Sequence, residues 1–241
     1  MEYKGRNVEC ALFENQTTDL QKAICTLFDA ILNVKKSYLE FEEPEKKVWV
    51  SHLERVFAYE LYHQWSRILK REKLYGKDKY VLNAEVNKNM NYFGYTDEGV
   101  KYPDMVLHHS QGNNKSQGII CEIKRNENLN NKSFREDIEK LEHFVREETI
   151  YGFAFGVFIL VGNCIDDIYK KVSASKKGLF GLRNTTGTII CQKKIVCIAY
   201  DGQGISVSNL YNMIRSSRKH HKCLYSAKRY YSKLIIENVS D

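Results

Sequence analysis

The sequence predicts an α/β protein with a central mixed β-sheet flanked by helices, and three observations predict it. Apolar residues recur at helical spacing near the N-terminus and again after residue 133, short β-type segments lie between, and two nearly continuous apolar runs follow. Such runs joined through helices mark a sheet covered on both faces. A length of 241 residues with 43% hydrophobic and 28% charged content is ordinary for a globular chain, which excludes wholesale disorder and fibrous rods. With only 2 prolines and no Pro-, Ser- or Gln-rich stretch, no long linker is expected. The organisation read is one domain over 1–241: a helical N-terminal extension at 1–45, a core at 48–200 and a helical basic tail at 205–241.

Leu20, Ala23, Ile24, Leu27, Phe28, Ile31 and Leu32 recur at three and four, which predicts a helix from Thr18 towards Leu39. Pro44 or Glu45 is read as opening a second, longer helix that runs to about Tyr75 and stops at Gly76. Three strands follow as a meander: Tyr80 to Asn87, Tyr102 to His108 and Gly118 to Lys124. Phe134, Ile138, Leu141 and Val145 then give a helix with Ser133 as its cap. Phe153 to Val161 and Lys194 to Tyr200 are buried strands, with a helix from Ile165 to Ser173 and a glycine-bearing loop to Gly187 between them.

Tyr151 to Val161 is the longest apolar run, about half of the roughly 20 residues that a membrane-spanning helix needs. The first ten residues carry charges of both signs and no apolar core, so neither a membrane anchor nor a secretory signal is expected, and the location read is cytoplasmic. The 7 cysteines lack CxxC pairs and zinc-finger spacing, which disfavours disulfides and structural zinc. The net charge of +7 is compatible with a polyanionic partner. Between Arg215 and Lys233 seven cations, Arg218, Lys219 and Lys222 among them, occur without an acid and are interleaved with Tyr225, Tyr230 and Tyr231. That mixture suits phosphates and base stacking, although a helix with one wet face has the same composition.

The chemistry concentrates in GIICEIKR. Strand alternation places Ile120, Glu122 and Lys124 on one side, so a carboxylate and an amine project together from an otherwise apolar strand. Burial without a partner would cost several kcal/mol. Asp104, on the preceding strand, can approach Glu122 through hairpin pairing, and two close carboxylates repel unless they share a proton or a cation. Oxygen ligation of that kind suits Mg2+ or Mn2+. Lys124 beside it can offset charge that develops in a transition state, so the three together read as metal-assisted phosphodiester hydrolysis. The bland alternative is an ordinary ion pair at a strand end.

Pro103-Asp104 followed by Glu122-Ile123-Lys124 resembles the PD-(D/E)XK nuclease superfamily, which contains many restriction endonucleases and Holliday junction resolvases. The resemblance implies a restriction-endonuclease-like core in the order α, β, β, β, α, β, which residues 48 to 161 match. It also implies a nuclease acting with Mg2+ or Mn2+, on DNA ahead of RNA. Many members act as dimers so as to cut both strands, which makes a homodimer an expectation.

Members often add a carboxylate from the first core helix. Glu60 falls in the middle of the stripe formed by Leu53, Val56, Phe57, Leu61 and Ile68, so the role is carried onto Glu60, with Gln64 one turn on. Glu54, nearer the stripe's edge, and Glu85 remain alternatives. Asp137 and Lys140 match an Asp and Lys that the superfamily often places on the next helix, where they support the site or contact phosphate, as Arg125 can. His108 and His109 are read as packed or solvated near a turn, or else as a phosphate contact. His220 and His221 lack the companions of a metal cage. The other functional class kept open is an inactive nuclease-like module that binds nucleic acid or a protein.

Overall fold

A computed structural model describes residues 18–43, 48–51, 54–76, 79–84, 103–109, 117–146, 152–175, 186–215 and 225–226. In chain order these form α1 (Thr18–Asn33), β1 (Glu40–Glu43), β2 (Val48–Ser51), α2 (Glu54–Arg71), β3 (Tyr80–Ala84), β4 (Met105–His109) and β5 (Gln117–Arg125). Then come α3 (Asn131–Val145), β6 (Phe153–Val161), α4 (Ile165–Ser175), α5 (Thr186–Lys194), β7 (Ile195–Tyr200), β8 (Gly204–Asn209), α6 (Leu210–Arg215) and β9 (Tyr225–Ser226).

The main sheet has the order β3-β4-β5-β6-β7-β8-β9. β3, β4 and β5 are the expected antiparallel meander, with Met105 opposite Cys121. β5, β6 and β7 run parallel through crossovers, and β8 returns antiparallel to β7. The sheet is therefore mixed, with helices on both faces. On one face Ile119, Cys121, Ile123, Val157, Ile159 and Ile198 pack with Ile24, Leu27, Phe57 and Trp65 of α1 and α2. On the other, Ile120, Phe158, Leu160 and Cys197 pack with Phe134, Ile138, Leu141 and Ile168 of α3 and α4. Alternation along β5 thus feeds two cores, and it fixes Glu122 and Lys124 to the α3 side.

The second helix is shorter than expected. Residues 40–43 and 48–51 pair as an antiparallel hairpin, Phe41 opposite Val50, and α2 starts only at Glu54. Phe41, Val48, Trp49 and Val50 are residue types that favour a pleated strand, and this local preference outweighs the Pro44 start signal. The helical extension at 1–45 accordingly ends in a strand. The basic tail is corrected as well, since 204–209 is a sheet strand followed by a short helix. Its turn is made by Asp201, whose Oδ1 accepts the N–H groups of Gln203 and Gly204, each at 2.8 Å. A further helix, α5, lies mostly over residues 188–194, between the stretch read as loop and the strand β7, which starts at Ile195 and not at Lys194.

The helix that carries much of the site, α3, begins three residues before Phe134. Its cap is Asn130, whose Oδ1 accepts from Lys132 and Ser133 N–H while Ser133 Oγ accepts from the Asn130 N–H. The helix lies close on β6 because Gly156 has no side chain, and a Cβ there would meet Leu141 Cβ at 3.2 Å and Val145 Cγ1 at 3.3 Å.

Candidate active site at the end of β5

β4 and β5 part company at Asp104. Its N–H still donates to Cys121 O at 3.1 Å, but the next ladder position is filled by its side chain, whose Oδ2 accepts the Ile123 N–H at 2.6 Å. The paired register ends at Met105 opposite Cys121, and because the Asp104 N–H reaches the same Cys121 O the ladder slips by one residue there; the Asp104 carboxylate still lies near enough to Glu122 for its charge to raise that group's pKa. The approach of Asp104 to Glu122 expected from hairpin pairing is present as this electrostatic coupling and not as a continued strand pair.

From the other side, α3 delivers two side chains one turn apart. Lys140 Nζ lies 2.6 Å from Glu122 Oε2 and 3.8 Å from Asp137 Oδ1. Asp137 Oδ2 is 3.3 Å from Lys124 Nζ, which is also 3.8 Å from Glu54 Oε1. Glu54, in the first turn of α2, accepts the Arg125 N–H through Oε2 at 3.1 Å. Acids and bases alternate along a line: Glu122, Lys140, Asp137, Lys124, Glu54. With Asp104 added, four carboxylates face two ammonium groups.

That imbalance shows in the titration of the site. Burial pushes the Asp104 carboxyl up to about 6, against the pull of the Ile123 hydrogen bond and the Lys140 charge. Glu122 is raised well above the usual carboxylate range, first by burial and then by the Asp104 charge, with Lys140 opposing both. Burial alone would lower Lys124, but Asp137 and Glu54 outweigh it and raise its pKa, so the amine stays an ammonium. Glu122 is 2% exposed, and its Oε1 has no hydrogen-bond partner among the described residues. A buried carboxylate oxygen without a donor, beside a second carboxylate, fits a divalent cation that takes one or two carboxylates and completes its shell with water. No group of three His, Cys, Asp or Glu side chains is close enough to hold a metal among the described residues.

The structure brings together Asp104, Glu122, Lys124, Asp137 and Lys140, but it brings Glu54 and not Glu60 to Lys124. Glu60 is buried and engaged on its own helix, accepting from Gln64 Nε2 at 2.6 Å and lying 3.6 Å from His63 Nδ1. Six residues separate the two glutamates, about 9 Å along the axis and roughly 120° around it, so one helix cannot aim both at one point. Gln64 therefore serves Glu60. Arg125, read as a phosphate contact, is 6% exposed and turns inward: its Nη1 donates to Leu39 O at 2.8 Å, and its Nη2 is 3.5 Å from Glu127. Lys140 contacts Glu122, which fits the supporting role, one of the two expected of it beside phosphate contact. His108 pairs with Asn83 at 2.9 Å and lies four residues along β4 from Asp104, about 13 Å away at strand rise. Glu85, Arg218, Lys219, Lys222, His220 and His221 lie outside the described residues.

Glu54 ranks behind Glu60 in the sequence because it lies nearer the edge of the apolar stripe, a criterion that favours burial over reach. A helix opening at Glu54 puts that acid in its first turn, where its side chain can reach past the helix end. Comparison with protein-family models, curated proteins and solved structures gives no match.

Proposed function

We propose that the chain is a metal-dependent nuclease that hydrolyses phosphodiester bonds, in DNA ahead of RNA. The observation that carries this reading is the proximity of the Asp104 and Glu122 carboxylates, with Oε1 of Glu122 lacking a hydrogen-bond partner among the described residues and the Lys124 ammonium two residues along the same strand face. The order α2, β3, β4, β5, α3, β6 supports it, being the order that the PD-(D/E)XK resemblance implies.

Asp104 and Glu122 would hold Mg2+ or Mn2+, with Glu54 as the helix carboxylate beside them. A divalent ion there supplies Lewis-acid polarisation of a phosphoryl oxygen and makes bound water a better nucleophile. The protein's own part is positional. The Ile123 N–H fixes the rotamer of Asp104, and Asp137 and Glu54 keep Lys124 protonated from two sides. Lys124 is then a donor that orients water or steadies charge growing on the phosphate, and it is not the general base.

A second reading, an inactive nuclease-like module, draws on the 2.6 Å contact of Lys140 with Glu122, which satisfies part of that carboxylate internally. One experiment divides the two. The purified protein is incubated with DNA and RNA, with and without Mg2+ or Mn2+, beside Glu122→Ala and Lys124→Ala. Metal-dependent cleavage that falls by about 100-fold or more in both variants supports the nuclease. Equal degradation by wild type and variants defeats it.

A further inference from the structure

The ammonium of Lys140 sits on one oxygen, Oε2, of the carboxylate whose other oxygen, Oε1, is left for an external cation. Its Nζ is 2.6 Å from Glu122 Oε2, and its side chain is only 11% exposed. A positive group this close to a carboxylate repels any second cation brought to the same carboxylate, and burial weakens the screening that would hide the effect. Lys140 also has somewhere to go. Asp137, one turn earlier on the same helix face, already lies 3.8 Å from the same Nζ, so rotation of a flexible four-carbon stem can move the ammonium from one carboxylate to the other.

We infer that Lys140 is an internal counter-ion of Glu122 that a divalent cation arriving at Oε1 repels towards Asp137, so that metal loading is an exchange and not a simple addition. The exchange presupposes the metal site proposed above. In the metal-free protein Lys140 compensates a carboxylate that burial would otherwise leave exposed to Asp104. In the loaded protein the cation takes over that compensation, and the ammonium withdraws to Asp137. The same lysine thereby holds the empty site together and weakens its affinity for metal.

The consequence runs against intuition. Removing a cation from a buried acidic cluster should destabilise the empty protein and at the same time tighten metal binding. Mn2+ affinity is measured by calorimetric titration of the full chain for wild type, Lys140→Met and Lys140→Gln, with Glu122→Gln as reference. Thermal unfolding is recorded for each in EDTA and in Mn2+. Lys140→Met is expected to bind Mn2+ about tenfold or more tightly than wild type. Its melting temperature should drop in EDTA and rise further than wild type's when Mn2+ is added. Lys140→Gln should follow in the same direction. In wild type, the ammonium resonance of Lys140, observed by 15N NMR, should shift on titration with Mg2+, a readout that needs no variant to fold.

Mn2+ binding that is unchanged or weakened in both variants, or a Lys140 resonance indifferent to Mg2+, overturns the exchange while leaving the metal site in place. Absence of Mn2+ binding in wild type and variants alike overturns both. Tightened binding without any DNA or RNA cleavage supports the exchange and counts against the nuclease.

Discussion

Lys124 Nζ lies 3.3 Å from Asp137 Oδ2, tying the end of β5 to the middle of α3. Asp137 is thus a positioning residue for the lysine, and its effect should be visible in pH dependence. Asp137→Asn removes a negative charge that favours the ammonium, so the pKa of Lys124 falls towards or below its ordinary value. If cleavage needs Lys124 protonated, the alkaline limb of the rate profile moves to lower pH. A profile measured between about pH 7 and 10 checks this, and an unmoved alkaline limb contradicts it.

The two glutamates of α2 should separate cleanly. Glu54→Gln removes the carboxylate 3.8 Å from Lys124 and is expected to lower cleavage by about tenfold or more while the protein stays folded. Glu60→Gln leaves the Gln64 and His63 contacts on the same helix surface and is expected to change cleavage by less than about threefold. Steady-state rates for both variants at saturating Mg2+ test the assignment, and the reverse ranking would return the role to Glu60.

Asp104→Asn should stabilise the metal-free protein while abolishing cleavage. Asn retains an oxygen to accept the Ile123 N–H, but no buried charge remains to face Glu122. The sign follows from the raised pKa of Asp104. Between the ordinary carboxylate range near 4 and the folded value of about 6, the folded state holds more protons than the unfolded one, so wild-type stability falls as pH rises through that window. The variant lacks this loss. Denaturant unfolding in EDTA is expected to favour Asp104→Asn by on the order of 1–3 kcal/mol at pH 8 and by little at pH 4. A variant less stable than wild type at pH 8 would contradict the account.

Gly156→Ala tests how α3 is positioned. The added methyl would meet Leu141 and Val145 at 3.2 and 3.3 Å, so the helix must give way. A loss of about 1–3 kcal/mol in unfolding free energy is expected, together with reduced cleavage, because Asp137 and Lys140 ride on the same helix. Unchanged stability would mean that the helix sits more loosely on β6.

The parts of the fold that were legible in the sequence are those with one dominant period. Alternation in GIICEIKR puts Ile119, Cys121 and Ile123 on one core and Glu122 with Lys124 on the other, and the β6 run from Phe153 to Val161 is a strand with those bounds. Where two signals competed, the reading failed. Pro44 suggested a helix start, yet the strand preference of Val48, Trp49 and Val50 won; and stripe position ranked Glu60 ahead of Glu54, although Glu54 at the start of α2 is the one that reaches Lys124. β8 was lost inside a segment judged by its basic charge, although Ile205 and Val207 alternate as a strand should. The contact of Lys140 with Glu122 depends on how α3 crosses the sheet, and a linear sequence does not carry that angle.

The central claim is that Asp104 and Glu122 share a divalent cation. The most direct measurement is the anomalous scattering of Mn2+ in crystals of the protein grown or soaked with that ion. The account predicts one strong peak within about 2.0–2.3 Å of an oxygen of each carboxylate, with Oε1 of Glu122 as the ligand. A peak elsewhere, or a Mn2+-saturated crystal with Asp104 and Glu122 free of metal, would contradict it.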